Sequence, residues 1–373
     1  MPATAPYVPF SGSYAAGDVE FLLRQLPEPP FVSVADKEAL IQSGRKHYSE
    51  MLSPEALPSA RYLQVFEDAC AANLAHMARD CLALAAIIAA GRSGEIVVVS
   101  LARAGTPVGV VIKRLLEKVM GRQAVHYSVS IARDRGIDAV ALAHIVRHHA
   151  PAAIVFVDGW TGKGVIAREL AQSVAAFNQA RGTAIDGGLY VLSDLAGAAA
   201  AAASIGAQAD YLIPSSILNA TVSGLVSRTV VGPGDTLHGC VYYAAFAPHD
   251  HSRRFVDALE QAAHQQAAGQ YPQCAPAAPD RAAAAAAAQM SRACLQRLQQ
   301  QYDVADVNLV KPGIGEATRV LLRRVPRLLL LRDRSAADVR HLTVLAQEKN
   351  VPVMIDPALP YQAVSLIRSA LDG

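Results

Sequence analysis

Cysteine is sparse and scattered in this chain. Its five cysteines (Cys70, Cys81, Cys240, Cys274 and Cys294) show no Cys-x-x-Cys spacing of a thiolate metal site. An odd, dispersed set argues against a disulfide framework and reads as reduced thiols. Charge of one sign is missing as well. A net charge of +2 over 373 residues gives no bulk field that would announce a nucleic-acid binder. The start, Met1-Pro2-Ala3-Thr4, is not a basic-then-apolar leader. The longest apolar stretch, near 81–90, is too short to cross a bilayer and ends at Gly91-Arg92. These absences lead to the expectation of a cytoplasmic protein with no membrane contact. No internal repeat is visible, and the alanine runs are low complexity without chemistry of their own.

The sequence does hold material for a large core. It is 52% hydrophobic and 18% charged, and its length suggests two or three domains at roughly 150 residues each. Helical signals cover 36–51 and 59–90, the second with a break inside. From residue 94 onward, short apolar runs alternate with helical stretches in the α/β manner. Strands are expected at 96–100, 124–131, 154–157, 188–192 and 211–213, and helices at 107–119, 138–149, about 165–181, 196–204 and 252–266. Residues 236–246 read as extended. This order predicts a mostly parallel sheet with flanking helices and a site at the strands' C-terminal ends. The organisation expected is an N-terminal arm (1–30), a main domain (31–268), a Pro/Ala-rich linker and helix (269–302), and a small C-terminal α/β unit (303–373).

The most informative stretch is 154–170. Ile154-Val155-Phe156-Val157 reads as a buried strand that delivers Asp158 to its end, followed by Gly159-Trp160-Thr161-Gly162-Lys163-Gly164 and a helix from Val165. Glycines that let backbone N–H groups converge ahead of a helix N-terminus suit a phosphate. A Walker A loop is rejected, because only two residues separate Gly159 from Gly162-Lys163 and Gly164 stands where Ser or Thr is needed. This segment resembles the phosphoribosyl-pyrophosphate (PRPP) motif of type I phosphoribosyltransferases, with Gly159 in place of the usual second acid.

That resemblance implies an enzyme that makes or breaks a ribosyl bond at C1 with Mg²⁺. Thr161, Gly162, Lys163 and Gly164 would hold the 5′-phosphate. Asp158 would hold the ribose hydroxyls and meet the metal only through ribose or water. Arg103, Ala104 and Gly105, in an earlier strand–loop–helix joint, match the family's pyrophosphate loop. Arg133 and Arg135 fall where its catalytic hood lies and would neutralise departing pyrophosphate, although Asp134 and Asp138 offer them salt-bridge partners. Ser215, Asn219 and Arg228 are the acceptor or specificity candidates. The cluster Arg45, Lys46, His47 and Tyr48 could cover the site, bind a substrate phosphate, or end a surface helix. A homodimer is a family-level expectation. The expected small-molecule partner is PRPP or a nucleotide-like compound, and a non-enzymatic nucleotide sensor is an alternative.

The C-terminal segment 308–324 reads as a glycine-opened turn entering a helix, with seven arginines between Arg319 and Arg340. It resembles a Pelota-type RNA-binding domain. Lys311, Gly313, Gly315, Glu316, Thr318 and Arg319 are the candidate RNA contacts, Gly315 standing where kink-turn readers usually carry Asn. The combination of the two units resembles a bacterial family found with tellurium-resistance stress genes. Some of its members carry the label of a StiP-type cysteine protease, which makes Cys240, two residues from His238, a rival nucleophile.

Overall fold

A computed structural model of the chain describes residues 7–27, 29–231, 236–270 and 280–368. The elements run β1 (Glu20–Leu22), β2 (Arg24–Gln25), α1 (Val34–Gln42), α2 (Ala60–Ala90), β3 (Ile96–Ala102), α3 (Thr106–Lys118), β4 (Ala124–Ala132), β5 (Gly136–Ile137), α4 (Ala139–His148), β6 (Ile154–Thr161), α5 (Val165–Arg181), β7 (Leu189–Asp194), β8 (Ala201–Ile205), β9 (Gly239–Cys240) and α6 (Ser252–Gln270). The C-terminal part adds α7 (Arg281–Gln301), β10 (Val310–Pro312), α8 (Ile314–Arg323), β11 (Pro326–Leu331), α9 (Arg340–Glu348), β12 (Val353–Ile355) and β13 (Ala363–Ile367).

The central sheet has strand order β1-β4-β3-β6-β7-β8 and is parallel throughout, with β5 pairing antiparallel to β4. Its strands are apolar on both sides because both faces are covered, as crossover helices require. Val98, Val155 and Val157 pack with α2, α3 and α6. Val97, Val99, Ile154 and Phe156 pack with α4 and α5. A second sheet, β10-β13-β11-β12, belongs to the C-terminal unit, and only its β11–β12 pair is parallel. The chain is therefore a mixed α/β protein with a mostly parallel central sheet and a small C-terminal α/β unit.

Several expected elements are built differently. Residues 60–90 form one unbroken 31-residue helix. By length and composition α2 could cross a membrane, but Phe66, Met77, Cys81, Leu84 and Ile88 place its apolar face in the core. The arm contributes β1, which pairs with β4 as a sheet edge. Residues 196–204 are a turn and strand β8 rather than a helix. Asp194 accepts the N–H groups of Ala196 and Ala199 and shapes the turn. A Cβ added at Gly197 would lie only 1.9 Å from Ala284 O on α7, so small residues permit close packing here. Residues 211–213 form no strand, and the expected helix over 36–51 is α1 followed by a short 3₁₀ turn at Tyr48–Glu50. Strand β13, which the sequence did not announce, is central in its sheet. Within the expected linker, 271–279 lie outside the described residues.

Candidate functional site

The C-terminal edge of the central sheet does not open to solvent over β6. The strand continues three residues beyond Asp158, pairing Trp160 with Ser193 and Thr161 with Asp194. The loop that follows is covered by the C-terminal domain. An added Cβ at Gly162 would meet Glu316 and Pro312 at 3.2–3.3 Å, and one at Gly315 would strike the Trp160 indole at 2.7 Å. Lys163 Nζ donates to Val307 O at 2.6 Å, and burial lowers its pKa to about 7. Thr161 Oγ1 accepts the Gly164 N–H at 3.1 Å, and Asp158 Oδ1 accepts the Gly159 N–H at 2.7 Å. Gly164, at φ +69°, caps α5 with Ala198 against its missing side chain. The expected phosphate cradle is thus a docking socket: two of its amides serve its own side chains and its outer surface is occupied.

Beside this socket lies a cleft of about 280 Å³ whose walls come from both domains. Arg103, Asp158, Ser216 and Arg228 contribute from one side, and Lys311, Glu316 and Arg319 from the other. Arg103 is buried, ion-paired to Glu55, and donates to Val226 O at 3.1 Å, leaving its Nη2 without a partner. Arg228 lies over the Tyr48 ring at 5.8 Å, and no hydrogen bond or ion pair to its guanidinium is found among the described residues. Burial and the neighbouring Arg103 charge lower its pKa. Arg319 stacks on Trp160 at 4.4 Å and bonds Glu316 Oε1 at 3.1 Å. Burial raises Asp158 to about 6, with Arg319 opposing. Burial also lowers Lys311. Glu316 feels burial in the opposite sense, but Arg319, Lys311 and Lys163 outweigh it and hold its pKa low.

The other candidates scatter. An added Cβ at Gly105 would touch Leu101 O and Val157 O at 2.9 Å, and its N–H bonds Leu101 O, so this glycine serves close approach to the strands. Ala104 lines the cleft. Arg133 pairs with Asp134 and Arg135 with Glu50, each at 3.0 Å, so the expected hood arginines are already neutralised. Asp138 instead caps α4. Ser215 lines the cleft. Asn219 reaches the neighbouring apolar pocket and donates to Ala56 O.

The candidate RNA turn faces inward. Gly313 has φ +88° and sits against Leu195, while Thr318 is fully buried, donating to Ile314 O and bonded to His341. Tyr48 alone of the early basic cluster lines the cleft. Glu55 and Trp160 were missed as site residues, because neither has a local sequence signal for contacts over 48 and 155 residues respectively. The rival thiol fares no better. Cys240 is fully buried, its pKa pushed up to about 12, and His238 Nδ1 bonds Ser130 Oγ instead. Among the described residues no histidine hydrogen-bonds a cysteine, and no group of three His, Cys, Asp or Glu could hold a metal.

The fold and cleft define a two-domain α/β protein in which a Pelota-like unit closes over the edge of a parallel sheet. A family model described as tellurite-like stress resistance cysteine protease StiP matches residues 12–260, and a PELOTA RNA binding domain model matches 289–369. The chain is 41% identical over 392 aligned positions to a protein of Acinetobacter baylyi named cysteine protease StiP, covering 98% of this chain and 96% of that protein. The chain belongs to the StiP family. This overturns the phosphoribosyltransferase assignment drawn from the 154–164 motif: the family and relative carry a protease name, and the structure shows the motif plugged.

Proposed function

We propose that this chain acts in tellurite-type stress resistance as a cysteine protease of the StiP kind, and that its C-terminal domain meets RNA. The observation that carries the first part is the 41% identity running through 98% of the chain, both domains included. The C-terminal part rests on the Pelota match at 289–369. A protease of this class needs a thiolate and an oriented base. Cys70, Cys81, Cys240 and Cys294 are all held above the ordinary thiol range by burial, and Cys274 lies outside the described residues.

The test is cleavage of casein by the full-length protein and by five single Cys→Ser variants, each checked for folding by circular dichroism. One folded variant without cleavage identifies the nucleophile. Undiminished cleavage by all five, or no cleavage by the wild type, removes the protease reading. For RNA, the inward turn of α8 makes the exposed Arg334 and Arg340 the contacts to test. A salt-sensitive gel shift weakened by Arg334→Ala and Arg340→Ala is expected; no shift at low salt defeats it.

A further inference from the structure

Two cavities meet at Arg228. One is the polar interdomain cleft. The other, of about 400 Å³, is walled largely by apolar groups, among them Ile41, Leu57, Pro58 and Leu322. Tyr48, Leu218 and Arg228 line both, so the two form one continuous depression with a cationic end and an apolar end.

The cationic end has unused binding capacity. Arg103 is 7% exposed and its Nη2 has no acceptor, although its other amine group holds Glu55 and Val226 O. Ser216 is 5% exposed, and its hydroxyl is also unpartnered. Arg228 adds a guanidinium with a stacking partner and, among the described residues, no hydrogen-bonded anion. Buried polar groups are ordinarily satisfied, and guanidinium pairs match phosphate oxygens with several donors at once. Glu55 is ion-paired to Arg103 and reaches Arg228 only through space, and Glu316 is engaged by Arg319, which leaves the Arg228 guanidinium open to an anion from outside.

We infer that this depression binds an organic phosphate, its phosphate held between Arg228, Arg103 and Ser216 and its apolar body lying in the cavity beside Leu57 and Leu322. The ligand is a phosphate ester with a compact apolar or aromatic group rather than free phosphate, because the apolar cavity is the larger of the two. The site does not depend on the protease reading: none of the four described cysteines lines it.

The experiment is isothermal titration of the full-length protein at low salt with phenyl phosphate, inorganic phosphate, benzyl alcohol and an Asp/Glu tripeptide. Phenyl phosphate is expected to bind at least tenfold more tightly than inorganic phosphate, and benzyl alcohol more weakly than either. Arg228→Gln should weaken both phosphates tenfold or more. Arg228→Lys, which keeps the charge but loses the fork, should weaken them less. Ala56→Trp, which fills the apolar cavity from its rim, should weaken phenyl phosphate and spare inorganic phosphate. Melting temperatures without ligand confirm that each variant is folded. Absence of phosphate binding to the folded wild type, or phosphate binding unchanged in a folded Arg228→Gln, overturns the site. Equal affinity for the two phosphates overturns the role of the apolar cavity, and binding of an Asp/Glu tripeptide in preference to both overturns the phosphate class.

Discussion

Asp210 is the carboxylate on which the docking of the two domains can be tested most directly. It lies just beyond the central sheet, 5% exposed. Its Oδ1 accepts the Ile314 N–H at 2.8 Å, and its Oδ2 accepts the Gln362 N–H at 2.7 Å. One domain thus supplies the acceptor for the first turn of α8 in the other, where Gly313 has no side chain to cap it. Hydrogen bonds to a charged acceptor contribute about 1.5–3 kcal/mol, and a buried donor left alone costs about 1–3 kcal/mol. Asp210→Ala orphans two donors, so a loss of about 2–5 kcal/mol is expected, part of the deletion being offset by relief of the buried charge.

Burial raises Asp210 to about 6 from 3.8. The folded protein therefore holds this proton more tightly than the unfolded chain. The stability so gained is fully present below about pH 4 and is lost as pH rises through about 6. Alanine has no such proton, so the gap between wild type and variant widens by roughly 1 kcal/mol from pH 7 to pH 5. Urea denaturation at the two pH values measures the gap, and amide exchange at Ile314 and Gln362 localises it. A loss under about 1 kcal/mol with unchanged exchange at both amides would refute the capping role.

Gly315→Val should drive a side chain into Trp160, whose Cε2 would be 2.7 Å from the new Cβ. Because Trp160 is the single tryptophan, opening of the socket reads out as a red shift of intrinsic fluorescence; an unshifted spectrum in the folded variant counts against the docked arrangement. Asp18→Ala leaves the buried Arg114 without its two bonds at 2.7–2.8 Å, and a loss of about 3–5 kcal/mol in urea denaturation is expected; a change within about 0.5 kcal/mol would show that Asp257 and Glu260 suffice. Asp80 and Asp158 are raised to about 6 by burial, like Asp210, so the stability each contributes should fall as pH rises from 4 to 6, against the opposite trend of the buried His126 and His341. The wild-type margin over Asp80→Ala or Asp158→Ala should shrink across that window in a denaturation series, and a margin that grows would contradict their buried placement. Cys240, held near 12, should resist iodoacetamide at pH 8 in the native protein and react once unfolded; fast native labelling would show that its cover opens.

What the sequence disclosed was set by how local the cause was. The strands Ile96–Ala102 and Ala124–Ala132 and helices α3 and α4 were legible because an apolar run or a capping Asp138 announces them within a few residues. Residues 201–205 misled because alanine favours helix in isolation, whereas here its small size admits α7 against an edge strand, a tertiary cause. The pairing of β1 with β4 joins residues more than a hundred positions apart. Arg228, Ser215 and Lys311 do line the cleft, but of the partners that fix its character, Glu55 belongs to a segment that carries no motif, and Trp160, though inside the 158–164 motif, owes its role to Gly315, 155 residues away.

The same chemistry that makes a glycine-rich loop fit a phosphate makes it fit another domain. Both need a backbone that can be approached closely, and both leave N–H groups free to be claimed. What separates them is bulk: an anion loop keeps its rim small, whereas a domain socket needs an apolar surface to exclude water. Trp160 supplies that surface between Gly159 and Thr161, with Gly315 thinned to receive it and Arg319 stacked on its face. Lys163, a natural phosphate ligand, is spent on Val307 O, and its Coulombic neighbours Lys311 and Glu316 come from the incoming domain. An indole and a glycine on opposite units are complementary only when the units touch, so Trp160 seated on Gly315 marks a turn that holds protein rather than phosphate, while the guanidinium without an ion pair among the described residues is that of Arg228.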